Sequence, residues 1–286
     1  MFGKFSRILF GGLFTISTLA VGSLYLFQNK LVYPSWAQGA RNHVDTPDTR
    51  GLPYKRIKLT TRDGMKLDAF DLRKEESTTT VVILCPNAGN IGYFIPIMEM
   101  FYRQFNMSVF IYSYRGYGKS DGSPSEIGLK IDADSAMSYL ATDEFHRQRK
   151  LVLYGRSIGG ANAIYIASRF GNMIDAVILE NTFLSITKVI PYIFPYLAKF
   201  AFLCHEVWNS EEEITKIPSE ISFLFLRGLK DEIVPPPHMT ELYSLCPSKD
   251  KEMYEFPLGH HNDTILQDGY WNIIGEYLMK RKLISK

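Results

Sequence analysis

Cysteine is scarce, with only three residues, Cys85, Cys204 and Cys246, in a chain of 286. They are odd in number, far apart and never in a Cys-x-x-Cys arrangement, which argues against a disulfide framework and a structural zinc site. Charge of one sign is missing too: 32 basic residues face 30 acidic ones, for a net +2. Nucleic acid demands a concentrated basic face, so no nucleic-acid partner is expected. There is no internal repeat and no low-complexity stretch, and no acidic residue precedes Asp45. At 46% hydrophobic and 22% charged, the chain is neither disordered nor collagen-like, and its length suits one large domain or two small ones.

What stands out against that ordinary background is the N-terminus. From Ile8 to Phe27 twenty consecutive residues carry no charge and are rich in Leu, Phe, Ile and Val. As a helix this run is about 30 Å long, the thickness of a hydrocarbon core. A buried core helix would keep a polar face over five turns, and this run has none. A cleaved signal peptide is the rival, with small residues at Ala20-Val21-Gly22, but the apolar run continues through Leu24, Leu26 and Phe27. We read residues 1–30 as an uncleaved single-pass anchor, one transmembrane helix, and residues 31–286 as the domain it carries. Lys4 and Arg7 before the run and Lys30 and Arg41 after it leave the orientation undecided. An endomembrane of the ER type is the expected residence, with a mitochondrial address open because acidic residues are absent early on.

After an irregular connector over 31–50, apolar β-branched runs alternate with amphipathic stretches. Tyr54–Thr60 and Lys66–Leu72 read as an antiparallel pair turned at Arg62-Asp63-Gly64. Val81–Leu84, Val109–Tyr112, Leu151–Tyr154, Ala176–Leu179 and Phe223–Leu226 are continuous apolar runs, as expected of strands covered on both faces, and Met253–Phe256 reads as a further strand. Helix-length segments near Ile91–Gln104, Ser125–Thr142 and Ile158–Phe170 lie between them. This is the pattern of a mostly parallel α/β sheet with helices on both faces. About forty residues separate the strands ending near Glu180 and starting near Ser222, more than one crossover helix needs. They are rich in aromatics, and read either as a pair of packed helices or as a lid, over about 183–217, that roofs an apolar pocket or dips into a membrane surface.

The sharpest local signal is Gly155-Arg156-Ser157-Ile158-Gly159, a Gly-x-Ser-x-Gly pattern with a strand before it and a helix after it. That context is what a nucleophile elbow requires. A phosphate loop is excluded, because neither the glycine spacing nor a following Lys-Ser/Thr is present. A serine nucleophile needs a base oriented by a carboxylate, in the chain order Ser, Asp, His for this fold. Asp231 sits on the loop after Phe223–Leu226, at the carboxyl edge of the sheet where ligands bind. Adjacent His260 and His261 follow the last strand, and position alone does not separate them. Adjacent histidines chelate one metal poorly, and no other ligand cluster is spaced for it, so no metal and no cofactor is expected. An oxyanion hole would take one backbone N–H from Ile158 and another from the Cys85–Asn90 loop. Pro86 has no N–H, which leaves Asn87, with Ala88 as the lesser alternative. Cys85 has no basic neighbour in sequence to lower its pKa and reads as a buried strand-end thiol.

Several collinear motifs resemble the fungal bud-emergence (BEM-like) branch of the α/β-hydrolase superfamily. They are Asn87-Ala88-Gly89-Asn90-Ile91-Gly92, Tyr114-Arg115-Gly116-Tyr117-Gly118-Lys119-Ser120, the elbow at Ser157, Gly228-Leu229-Lys230-Asp231-Glu232 and His261-Asn262-Asp263-Thr264. The resemblance runs from about residue 30 to the C-terminus. It implies an α/β-hydrolase fold, a single N-terminal anchor, and His261 rather than His260 as the base. The chain departs from the pattern where relatives carry His-Gly before the Asn and this sequence has Cys85-Pro86, which puts pocket shape and activity in question. The expected function is a membrane-anchored serine hydrolase acting on esters or thioesters of lipophilic acyl chains, including an acylated protein as substrate. The other readings are a peptidase on the same residues and a non-catalytic scaffold.

Overall fold

The computed structural model describes residues 22, 25–37 and 39–285. Most of the Ile8–Phe27 run, and with it most of the expected anchor, lies outside the described residues. Among those residues no helix is long and apolar enough to cross a membrane.

Eight strands form one sheet: β1 (Lys55–Thr60), β2 (Lys66–Leu72), β3 (Thr79–Leu84), β4 (Ser108–Tyr112), β5 (Lys150–Arg156), β6 (Ala176–Glu180), β7 (Ser222–Gly228) and β8 (Lys251–Phe256). Their spatial order is β1-β2-β4-β3-β5-β6-β7-β8. β2 pairs antiparallel with both β1 and β4, and every other pair is parallel. The central strands β3, β4 and β6 are buried at every position, while the edge strands β1 and β8 are each fully buried at one position only. That difference follows from helices covering both faces of a parallel sheet while the edges stay open.

The helices are α1 (Ile95–Glu99), α2 (Glu126–Thr142), α3 (Ile158–Arg169), α4 (Ile186–Ile193), α5 (Ser210–Ile214), α6 (Pro237–Leu245) and α7 (Tyr270–Lys280). In α2, Leu129, Asp132, Ala133, Ala136, Met137 and Leu140 are buried, a stripe at helical spacing, and the Ser125 hydroxyl caps the helix by accepting from Gly128 N. The strand register pairs Ile83 with both Ile111 and Tyr154, so Tyr112 points to the face opposite Tyr154. Tyr154 meets Phe101 and the α7 residue Tyr270 on one side. On the other, Tyr112 accepts a hydrogen bond from Asn162 of α3. Both faces are therefore covered.

One expectation needs correcting and another is extended. The single helix expected over Ile91–Gln104 is a composite: a 3-10 turn at Ile91–Phe94, α1, and a π-helical turn at Met100–Gln104. Pro96 opens α1, where its missing N–H is harmless. The connector over 31–50 is irregular but not loose. Tyr33 and Ala40 are fully buried, and the Tyr33 hydroxyl donates to Glu206 (2.6 Å) while accepting from the Trp208 indole (2.7 Å). The connector is thus tied to the far end of the long insertion between β6 and β7.

Candidate active site

The elbow is a product of close packing. A Cβ on Gly155 would lie 2.3 Å from the carbonyl oxygen of Gly159, and one on Gly159 would lie 2.1 Å from that of Leu84. Only glycine lets β5, α3 and the end of β3 approach so closely. Ser157 between them adopts φ +52° and ψ −121°, a conformation rare for a residue with a side chain. The Ser157 N–H donates to Glu180 O, and the Thr182 hydroxyl donates to Ser157 O at 2.7 Å, so the neighbouring strand end holds the strained turn.

The structure brings Ser157, His261 and Asp231 into one hydrogen-bonded line. His261 Nε2 lies 3.1 Å from Ser157 Oγ, and His261 Nδ1 lies 2.8 Å from Asp231 Oδ2. The second oxygen of Asp231 accepts from the N–H groups of Ile233 (2.9 Å) and Val234 (2.7 Å), which fixes the carboxylate from behind. Both Asp231 and His261 are buried. The neighbours go elsewhere. His260 and Glu232 are about half exposed and pair with each other at 3.2 Å. Burial pulls the Glu232 carboxyl upward, but hydrogen bonds from the backbone and from His260 outweigh it and leave the group below its ordinary range.

Asn87 and Ile158 line the same cavity as Ser157. Among the described residues neither backbone N–H is donated within the protein. The loop carrying Asn87 is held from three sides: Tyr114 donates to Cys85 O (3.0 Å), Tyr117 donates to Asn87 O (2.7 Å), and Asn87 Nδ2 donates to Val32 O (2.9 Å). The tyrosines of the Tyr114–Ser120 motif therefore brace the Asn87 loop, a role their spacing alone did not suggest. Cys85 is buried, which pushes its thiol far above the ordinary value, against a weaker opposing pull from Arg156. Among the described residues no three His, Cys, Asp or Glu side chains gather as a metal site would need.

Asn181 was not singled out from sequence. It sits just after β6 at φ +46°, buried, and bonds in four directions. Its amide nitrogen donates to the carbonyls of His260 and His261 (both 3.3 Å) and to Thr264 Oγ1 (2.9 Å), while its oxygen accepts from Gly228 N (2.8 Å). One side chain thereby ties the His261 loop to the strand end that leads to Asp231. Behind the elbow, buried Glu180 accepts from the Tyr154 and Tyr270 hydroxyls and faces Arg156 at 3.0 Å.

The cavity at Ser157 has a volume of about 480 Å³. Its walls come from the insertion between β6 and β7, from Ile233 and Val234, and from the helical residues 25–32 through Tyr25, Gln28, Leu31 and Val32. Among the described residues no charged side chain lines it. The insertion is α4, then a 3-10 stretch at Pro195–Leu203, then α5, where the sequence left open a pair of packed helices or a lid. Pro195 opens the 3-10 stretch, since a proline there cannot continue α4.

A sequence model of the alpha/beta hydrolase fold matches residues 79–201. A yeast protein, YNL320W of Saccharomyces cerevisiae, described as an uncharacterized membrane protein, is 65% identical over 99% of this chain and 100% of its own. The bem46 protein of Schizosaccharomyces pombe is 46% identical over 94% of this chain and 91% of its own. Among solved structures, the Pyrococcus furiosus esterase Pf2001 superposes with a TM-score of 0.72 at 19% identity, covering 85% of this chain and 96% of that one. An alpha-beta hydrolase from Vibrio vulnificus gives 0.70 at 20% identity, over 87% and 91%.

Proposed function

This chain belongs to the bem46-like branch of the α/β-hydrolase family, and from that premise we propose that it is a membrane-anchored serine hydrolase cleaving ester or thioester bonds of lipophilic acyl substrates. The observation that carries this reading is the Ser157–His261–Asp231 line opening onto a cavity whose walls, among the described residues, carry no charge. Ser157 Oγ attacks the acyl carbonyl while His261 Nε2 takes its proton. Asp231 accepts from His261 Nδ1–H, which holds the ring in the tautomer that leaves Nε2 free and stabilises the imidazolium as it forms. The Ile158 and Asn87 N–H groups receive the developing oxyanion. His261 then protonates the leaving alcohol or thiol, and a water activated by the same ring releases the acid from the acyl-enzyme.

Anchoring rests on the Ile8–Phe27 run and is supported by the yeast relative's description as a membrane protein. The expected residence is an endomembrane of the ER type, with the mitochondrion as the alternative address. The apolar walls favour an acyl chain, free or on an acylated protein, over a charged peptide side chain. The test is a series of p-nitrophenyl esters and acyl thioesters of rising chain length, with peptide amides alongside. Long chains should show the higher kcat/KM. Much faster cleavage of short soluble esters, or of amides, would overturn the substrate class.

A further inference from the structure

Large apolar side chains are exposed on one side of the molecule in two segments distant in sequence. Tyr196 and Phe202 of the insertion are 96% and 77% exposed, and Leu26 of the helical stretch 25–32 is 74% exposed. The two segments are bonded into one face. Gln28 donates to Leu203 O (3.3 Å), His205 N donates back to Gln28 Oε1 (2.8 Å), and the Tyr25 and His205 rings meet edge-on at 5.2 Å. Between them, Tyr25, Leu31, Phe194 and Phe200 both line the cavity and remain substantially exposed, so the cavity opens at this face.

The charge is one-sided. No Asp or Glu occurs between Glu180 and Glu206 or before Asp45, whereas Lys30 and Lys199 are exposed on these segments. The Lys30 ammonium lies over the Phe27 ring at 5.3 Å. The carboxylates that follow, Glu206 and Glu211, are respectively buried and paired with Lys188, so aromatic side chains with exposed cations beside them suit the boundary between acyl chains and anionic headgroups. The apolar Ile8–Phe27 run also ends within this face, which brings the chain out of its anchor at this side of the domain.

We propose that the insertion and the 25–32 stretch form a single docking surface for an anionic phospholipid bilayer, with the cavity mouth set against the membrane. Tyr196 and Phe202 insert at the acyl boundary, Lys30 and Lys199 meet the headgroups, and an acyl chain passes from bilayer to Ser157 without crossing water. Docking does not depend on catalysis; only what enters through the mouth rests on the hydrolase reading.

The experiment uses the full chain in phosphatidylcholine–phosphatidylserine vesicles carrying radiolabelled lipid, with photoreactive benzoylphenylalanine in place of Tyr196, Phe202 or Met279. Met279 is exposed near Lys280, which pairs with Glu252 at the amino end of β8, away from the mouth. Cross-linking to lipid at 196 and 202 and not at 279 is expected. Cross-links only within the chain, or to a second copy, or equal lipid labelling at all three positions, would overturn the proposal. In parallel, the double variant Tyr196→Glu, Phe202→Glu should slow hydrolysis of a bilayer-embedded long-chain ester by about tenfold, on the scale of losing buried aromatic anchors. Reaction of Ser157 with a small soluble phosphonate should keep its wild-type rate. Unchanged hydrolysis of the embedded ester would also overturn docking. Should no ester be cleaved at all, the cross-linking pattern still decides the docking question alone.

Discussion

Asn181 holds a left-handed backbone and four hydrogen bonds because two loops that never meet in sequence must be kept in register. Replacing it with Ala removes the clamp and leaves the buried His261 carbonyl without this donor and the Gly228 N–H without its acceptor, costing about 1–3 kcal/mol of stability. The catalytic loss should be larger than stability alone explains, since a displacement of about 1 Å in a reacting group can cost on the order of a hundredfold. Steady-state kinetics of a folded Asn181→Ala protein should show kcat falling on that scale with KM little changed. A proportionate rise in KM at constant kcat would make Asn181 a substrate-binding residue instead. Asn87→Ala keeps the backbone N–H but frees the loop from Val32, so a smaller drop in kcat is expected, measurable in the same assay. Ser157 and Asp231 were legible in the sequence because the flanking glycines and the chain order are local patterns, whereas His261 was separated from His260 only by the family resemblance. Asn181, Tyr114 and Tyr117 act through partners that only the fold brings near, so their roles were not.

At the scale of elements, the junction of the insertion with the body is pH-sensitive. His238, in the first turn of α6, accepts from Leu184 N (3.2 Å) through Nδ1 and meets the Tyr192 ring edge-on at 5.9 Å. Burial, with a smaller push from Lys188, lowers its pKa below the ordinary 6.5. A histidine with a depressed folded pKa contributes stability that is complete above 6.5 and is lost as pH falls through the lower, folded value. Protonation also removes the lone pair that receives Leu184 N–H. Hydrogen-exchange protection over residues 184–193, taken relative to the intrinsic rate at each pH, should therefore fall on acidification below about pH 6.5, while β5 and β6 stay protected. Uniform protection across that range would contradict the assignment. The strands themselves were readable, because burial on both faces leaves continuous apolar runs such as Val81–Leu84 and Ala176–Leu179. The insertion was less so: its aromatics are split between cavity wall and open surface, and the two-helix reading missed the 3-10 stretch that follows Pro195.

At the scale of the whole molecule, the segment before β1 is structural. Tyr33 fills the space between Glu206 and Trp208, and burial, reinforced by Glu206, raises its hydroxyl far above the ordinary value. Tyr33→Ala would open a cavity and strand the buried Trp208 indole N–H, while Glu206 keeps the Glu126 N–H as donor, a loss of about 3–5 kcal/mol. For a domain of this size that corresponds to a fall in Tm of roughly 10 °C by calorimetry. A change of a degree or two would mean that the connector is dispensable. Composition and motif order made the fold readable, since a neutral, cysteine-poor chain with collinear α/β motifs leaves few alternatives. The tie between residues 25–33 and the insertion depends on contacts across some 175 residues, which no local pattern encodes.

The central claim is that Ser157 is an activated nucleophile. Labelling of the full-length protein and its Ser157→Ala variant with a fluorophosphonate probe tests it most directly. The account predicts labelling of the wild type and none of the variant. A folded wild type that does not react, or equal labelling of both proteins, would contradict it.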